Sequence, residues 1–430
     1  MFSTADCTLC KDPINCYNYL SMRIWLKYLL GILLGTAFAV FFPAGSKGAQ
    51  EVLDFLVELV IRFGRYPLIP LLFFSIATAC YTLRENKIML KTGFWTFASI
   101  IVSTAMLTVL GLAAALLANL PRIPMTVESA SNIPSIDAKN LLLQLFPYSS
   151  INSLLNDSYL LPCFILAGFI GAGANDDKTA SNAAIKLFNS LSRVCYIVMG
   201  FFTEILAVAL IALSCRWMLD FFALHKEGLY TPLLTLLSIL LAVTALVIYP
   251  LILRLLCHER HPFRVIYASI APFLLAFFSG DTNMTLPLSI RHGKESLGIQ
   301  HRVNGVSFPL FSIFARGGSA LVASVCFIVI FYSYSMLKIT PGSVIKIGLT
   351  AFFFSFLLGE HSCGGTYLLL TIICTKFGGG YEAGYLLLRN AAPLLGCFAA
   401  VFDVLTAMTG SYIVGIKTSC VERQELRKFI

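Results

Sequence analysis

Residues 314–325 read FARGGSALVASV, so Arg316 and two glycines interrupt an apolar run of membrane-crossing character. A guanidinium buried at that depth without a partner is costly, so something negative, polar or wet must lie near it. Two other stretches break apolar runs in the same way, SGDTNMTLP at 279–287 and GEHSCGGT at 359–366. Non-helical backbone at membrane depth is tolerated only where protein or a water-filled cavity surrounds it. The three breaks therefore predict re-entrant hairpins and an unwound helix lining a site.

The rest of the chain agrees with a membrane setting. Its 430 residues are 58% hydrophobic and 12% charged, with a mean hydropathy of +0.82, which predicts a polytopic membrane protein with little sequence left for a soluble domain. The net charge of +9 could suggest nucleic acid, but Lys and Arg gather at the ends of apolar runs, where they mark cytoplasmic loops. No nucleic-acid partner is expected. The first twenty-odd residues lack an apolar core with a small-residue cleavage site, so no cleaved signal peptide is expected and the N-terminus is placed in the cytoplasm. Cys7 and Cys10 have metal-site spacing, yet with Cys16 alone beside them they do not complete a tetrahedral set, and coincidence is the simpler reading.

Apolar runs bounded by breakers fall near Ile24 to Phe42, Val52 to Tyr81, Thr92 to Leu117, Leu141 to Ala172, Val194 to Cys215 and Thr231 to Leu256. From Val265 onward the runs are broken until a last span near Asn390 to Ile416. Placing the basic clusters on one side gives eight full crossings with both ends cytoplasmic. One hairpin then opens to the cytoplasm around 265–305 and an opposed one to the outside around 343–388, as in an inverted repeat with a midplane site. The expected organisation is a cytoplasmic segment 1–23, six continuous spans over 24–264, a transport core over 265–416 and a cytoplasmic tail 417–430. The fold class is all-α: eight transmembrane helices plus two opposed re-entrant hairpins.

At this point the chain resembles the dicarboxylate/amino acid:cation symporter family, the glutamate transporter homologues. Four stretches carry the resemblance: RFGRYPLIPLLFFSIA at Arg62 to Ala77, TLPLSIRHGKESLGI at Thr285 to Ile299, GGSALVASVCFIVIF from Gly317, and TGSYIVGIKT at Thr409 to Thr418. The resemblance implies a homotrimer in the cytoplasmic (inner) membrane, with a fixed N-terminal scaffold that spans three and six leave to join a mobile C-terminal unit. It further implies a small carboxylate or amino-acid substrate and Na⁺ or H⁺ as coupling ion, with no other cofactor and no metal site beyond one for Na⁺.

The resemblance also assigns positions. Asp281, Thr282 and Asn283 occupy the serines of the family's first hairpin tip, and SCGGT at Ser362 to Thr366 replaces the glycine-rich second tip. Ala315, Arg316 and Gly317 lie over the Asn-Met-Asp of the family's broken seventh span. Gly396, Ala399, Asp403 and Ala407 lie over Asp, Arg, Asn and Asp of the eighth. The substrate set implied is Asp281, Thr282, Asn283, Arg316, Ser319, Gly364, Gly365, Thr366 and Asp403. For coupling it is Asp403, Asp281, Ser103 and Thr104, and to these Glu360 is added as an acid beside an apolar segment that can carry a proton if buried.

Arg316 can be a tethered cation standing where relatives hold Na⁺, with Asp281 and Asp403 as partners, or a bidentate grip on a substrate carboxylate. The plain alternative is a structural ion pair or a snorkelling side chain. Each Ser or Thr at a break can equally be an ordinary cap or bond its own backbone, and Glu360 beside His361 can face water. No catalytic constellation or phosphate loop appears, so an enzyme is not expected. The reading is cation-coupled symport of glutamate, aspartate, a dicarboxylate or a related amino acid by alternating access. Against it stand an uncoupled exchanger, a transporter-derived sensor or pore, and a scaffold that binds nothing.

Overall fold

Unbroken apolar runs form long helices in the computed structural model, which describes residues 23–43, 47–118, 120–124, 160–176, 178–335, 339–361, 363–424 and 429. Helix α1 spans Ile24–Phe41. The second run divides at Tyr66-Pro67 into α2 (Lys47–Arg65) and α3 (Leu68–Glu85), because proline lacks the N–H that would continue the helix and restricts the residue before it. Helices α4 (Met89–Leu117), α5 (Leu161–Gly173) and α6 (Lys178–Glu227) follow. The expected span at Leu141 to Ala172 lies outside the described residues up to 159, as do Cys7, Cys10 and Cys16. The next run is α7 (Thr231–Val243), a π-helical turn Thr244–Ile248, and α8 (Tyr249–Cys257). Pro250 in the first turn of α8 withdraws a backbone donor at the place where the wider turn forms.

The broken region is built differently. The first hairpin descends through α9 (Phe263–Ala268) and α10 (Ile270–Ser279), and returns as α11 (Thr282–Glu295). Its tip is two residues long: Gly280 ends α10 at φ +64°, a left-handed conformation that glycine adopts without strain, and extended Asp281 caps α11 by accepting from the Asn283 N–H. Span seven is α12 (His301–Phe314) and α13 (Gly317–Tyr334), parted at Ala315-Arg316. The second hairpin is α14 (Pro341–Ser355) and α15 (Gly365–Phe377), and α16 (Ala392–Lys417) closes the core.

Burial separates the two kinds of span. In the most apolar 18-residue window of α1, and in that of α6, only 28% of residues are buried, against 94% for α12–α13 and 89% for α16. The continuous helices turn side chains such as Leu33, Phe38, Ile197, Phe201 and Val208 outward, as the lipid-facing surface of a membrane protein does. The interrupted helices are wrapped inside, with α11, α12, α13 and α16 packed on one another. Among the described residues seven helical stretches are long and apolar enough to cross a membrane. The chain is an all-α, multi-pass membrane protein.

Candidate functional site

Each break in the core leaves backbone N–H and C=O groups that need partners at membrane depth. At the start of α13 the Gly318 N–H donates to Asp403 Oδ1 at 2.6 Å, so a carboxylate from the middle of α16 caps the second half of span seven. The approach requires glycine: a Cβ on Gly318 would lie 2.3 Å from the Ala399 carbonyl oxygen.

Arg316 sits directly before this cap and is fully enclosed, with 2% of its surface exposed. Its Nη1 donates to Thr282 Oγ1 on the first hairpin and lies 4.0 Å from Asp403 Oδ2. Its Nε and Nη2 have no hydrogen-bond partner among the described residues, and neither does Asp403 Oδ2. Nε–H and Nη2–H form the side-on fork of a guanidinium, two parallel donors at the spacing of a carboxylate. Thr282 and Asp403 thus hold one end of Arg316, while the fork that recognises carboxylates is enclosed without a hydrogen-bond partner among the described residues.

Asp281 differs from the expectation that it pairs with Arg316. Its Oδ2 instead accepts from Arg65 Nε at 2.6 Å, and its Oδ1 from the Asn283 N–H at 2.9 Å. Arg65 ends α2, far from the core in sequence. Asn283 accepts from the Ser312 hydroxyl at 3.0 Å, while its Nδ2 has no partner among the described residues. On the far side of Asp403, Thr366 Oγ1 at the start of α15 donates to Ser319 Oγ at 3.2 Å, joining the second hairpin tip to span seven. Gly364, at φ +79°, makes the turn into α15 and Gly365 is its first residue; Ser362 is outside the described residues.

The remaining coupling candidates are spread out. Thr104 is buried against the break, its Cα 3.0 Å from where a Cβ on Gly317 would be, and its hydroxyl has no partner among the described residues. Ser103 bonds its own helix at Ile100 O. Glu360 and His361 lie on the turn before the second tip, with Glu360 Oε2 and His361 Nδ1 buried and without hydrogen bonds among the described residues.

A small cavity of about 10 Å³ between α11, α12 and α16 has a polar wall of Thr282, Thr285, Ser289, Ser312 and Asp403 and an apolar one of Leu286, Phe308, Phe311, Val404 and Ala407. It has room for one water or a bare small cation. The hydroxyl protons of Thr285, Ser289 and Ser312 are committed to Thr282 O, Thr285 O and Asn283 Oδ1. What these side chains have left is acceptor lone pairs, which favour a cation or a donating water. Sequence reasoning did not single out Arg65, Thr285, Ser289 or Ser312 for the site. The first three lie within TLPLSIRH and RFGRYP, stretches quoted only for their likeness, and a hydroxyl in a helix ordinarily bonds its own backbone.

A buried charged site enclosed by helices that break within apolar runs defines a class, the multi-pass membrane transporter. The chain belongs to the sodium:dicarboxylate symporter family, whose model matches residues 20–416. No curated protein matches it.

Proposed function

We propose that the protein is a secondary active transporter that moves a small carboxylate, such as glutamate, aspartate, a dicarboxylate or a related amino acid, by cation-coupled symport and alternating access. One observation carries the reading: the Nε/Nη2 fork of Arg316, fixed at Nη1, is buried among broken helices without a hydrogen-bond partner among the described residues. Buried donors left unmade are costly, and a carboxylate is the ligand that satisfies both at once. Thr282, Asn283, Ser319, Thr366 and the glycines at 364–365 surround the solute with short polar groups and helix N-termini.

Charge bookkeeping supports a coupling ion. Arg316 offsets Asp403 and Arg65 offsets Asp281, so an anionic amino acid adds one uncompensated negative charge and a dicarboxylate two. A cation about 4 Å from that charge recovers about 4 kcal/mol at an effective dielectric of about 20. The cavity beside Asp403 is the proposed place for it, Na⁺ among its oxygens or H⁺ on Asp403 Oδ2. A second reading, an uncoupled exchanger or a sensor or pore, is favoured by Ala315, Gly317 and Ala407, which bring no side-chain oxygen where the family resemblance expects Asn, Asp and Asp. A cytoplasmic-membrane homotrimer with both termini inside completes the proposal.

The test is uptake of radiolabelled glutamate, aspartate, succinate and serine into proteoliposomes, with Na⁺ and H⁺ gradients imposed separately. Accumulation driven by either gradient, and abolished by Arg316→Ala, is expected. Equilibration without accumulation supports the uncoupled reading, and native uptake by the Arg316→Ala protein overturns the role of the fork.

A further inference from the structure

The charge at the first hairpin tip comes from two parts of the molecule. Thr282, Asp281 and Arg316 belong to the core, whereas Arg65 terminates α2, a helix that packs on α6. The Arg65–Asp281 pair is close, at 2.6 Å, with the Asp281 side chain fully buried and that of Arg65 22% exposed. Gly64 makes the approach feasible, since a Cβ there would lie 2.7 Å from Met284 Cγ on α11. The pair therefore depends on the register between α2 and the hairpin, and a displacement of a few ångströms separates it.

We propose that Arg65 is a positioning residue of the transport site: it holds Asp281 away from the unpartnered fork of Arg316, and loss of that hold lets Asp281 displace the bound carboxylate. The inference rests on the reading that Arg316 grips the substrate. Asp281 immediately precedes Thr282, whose hydroxyl already receives Arg316 Nη1, so both acid and fork are at one tip. Once separated from Arg65, a buried carboxylate must find another cation or be neutralised. The Nε/Nη2 fork of Arg316 has the matching geometry. Asp281 then takes the place of the substrate carboxylate charge for charge, with no proton or ion required, and the solute leaves. Where the core is seated against α2 the site binds; where it is not, the site expels.

Binding and uptake of radiolabelled aspartate and succinate by the full chain distinguish this from a structural role. Arg65→Gln is expected to weaken binding by roughly tenfold or more, because Asp281 competes for the fork. Arg65→Gln/Asp281→Asn is expected to regain native affinity yet turn over roughly tenfold more slowly, since the internal competitor that drives release is gone. A merely structural pair predicts that the double variant recovers turnover together with affinity, because removing both partners leaves no stranded charge, so the slow turnover is what separates the two roles. Arg65→Lys, which keeps the cation, and a monodisperse elution profile control for folding. Unchanged binding in Arg65→Gln, or a double variant no better than the single one, overturns the inference while leaving Arg316 as the grip. Native binding by Arg316→Gln, or no binding of either probe by the native protein, overturns the grip and this inference together.

Discussion

Gly318 and Asp403 are joined by a 2.6 Å hydrogen bond from backbone N–H to carboxylate, so one acid both caps the second half of span seven and stands 4.0 Å from Arg316. The two duties can be separated. Asp403→Asn keeps an acceptor for the cap and removes the charge, leaving Arg316 without its partner at a cost of about 3–5 kcal/mol. Asp403→Ala loses the cap as well, about 1 kcal/mol more. Thermal unfolding in detergent should rank native, Asn and Ala in that order. The Asn protein should bind the carboxylate probe more tightly, by up to about tenfold, and lose its response to Na⁺ and pH. Native cation dependence in Asp403→Asn would remove Asp403 from the coupling site.

Two glycines of the core leave very different room for a methyl group. A Cβ on Gly318 would meet the Ala399 carbonyl oxygen at 2.3 Å and the Phe402 Cβ at 2.6 Å, whereas one on Gly396 would meet nothing within 4 Å. Backbone cannot move aside cheaply, so Gly318→Ala should cost about 2–3 kcal/mol and abolish uptake. Gly396→Ala lies inside α16, where alanine is the better helix former, and should be neutral or stabilising by up to about 1 kcal/mol. Equal melting temperatures for the two proteins would show that the contact between spans seven and eight is looser than the structure has it.

These residues also show what a sequence can and cannot disclose. Arg316 and Asp403 are legible because an ionised group in an apolar run needs a reason, and the helix breaks are legible from glycine and short polar residues at membrane depth. Arg65 is not. It ends the sequence DFLVELVIRFGR, where a basic residue reads as a membrane-edge anchor, and its partner lies 216 positions away. The local signal was Gly64 and Pro67 beside it, which mark a close approach and a helix end without saying what is approached. The extent of α6 was likewise hidden, because its 50 residues continue past the apolar run Val194 to Cys215 into polar turns. Propensity allows that extension and apolarity does not reveal it.

The far end of the first hairpin is tied to the C-terminal tail. Beyond α16 the chain turns back, and Glu422 N–H donates to Gly298 O while Gln300 N–H donates to Cys420 O, both at 2.9 Å. Glu259, 4% exposed, accepts from the Tyr412 hydroxyl and from Arg423 Nη2 at 3.0 Å each. The tail thereby ties the loop after α11 to the end of α16, the two core elements that carry Asp281 and Asp403. Because Arg423 is 61% exposed, its ion pair alone is worth about 1 kcal/mol or less, and Arg423→Ala should lower the melting temperature only slightly. Gly298→Ala is the severe change: φ is +70° and the added Cβ would fall 1.8 Å from the Glu422 carbonyl oxygen, so the tail must detach. The Arg316 fork lies at the other end of α11, out of reach of this loss. Uptake by Gly298→Ala, or by a chain ending at Ser419, should therefore show a reduced maximal rate with KM close to native. A raised KM at unchanged rate would mean that the tail shapes the site itself.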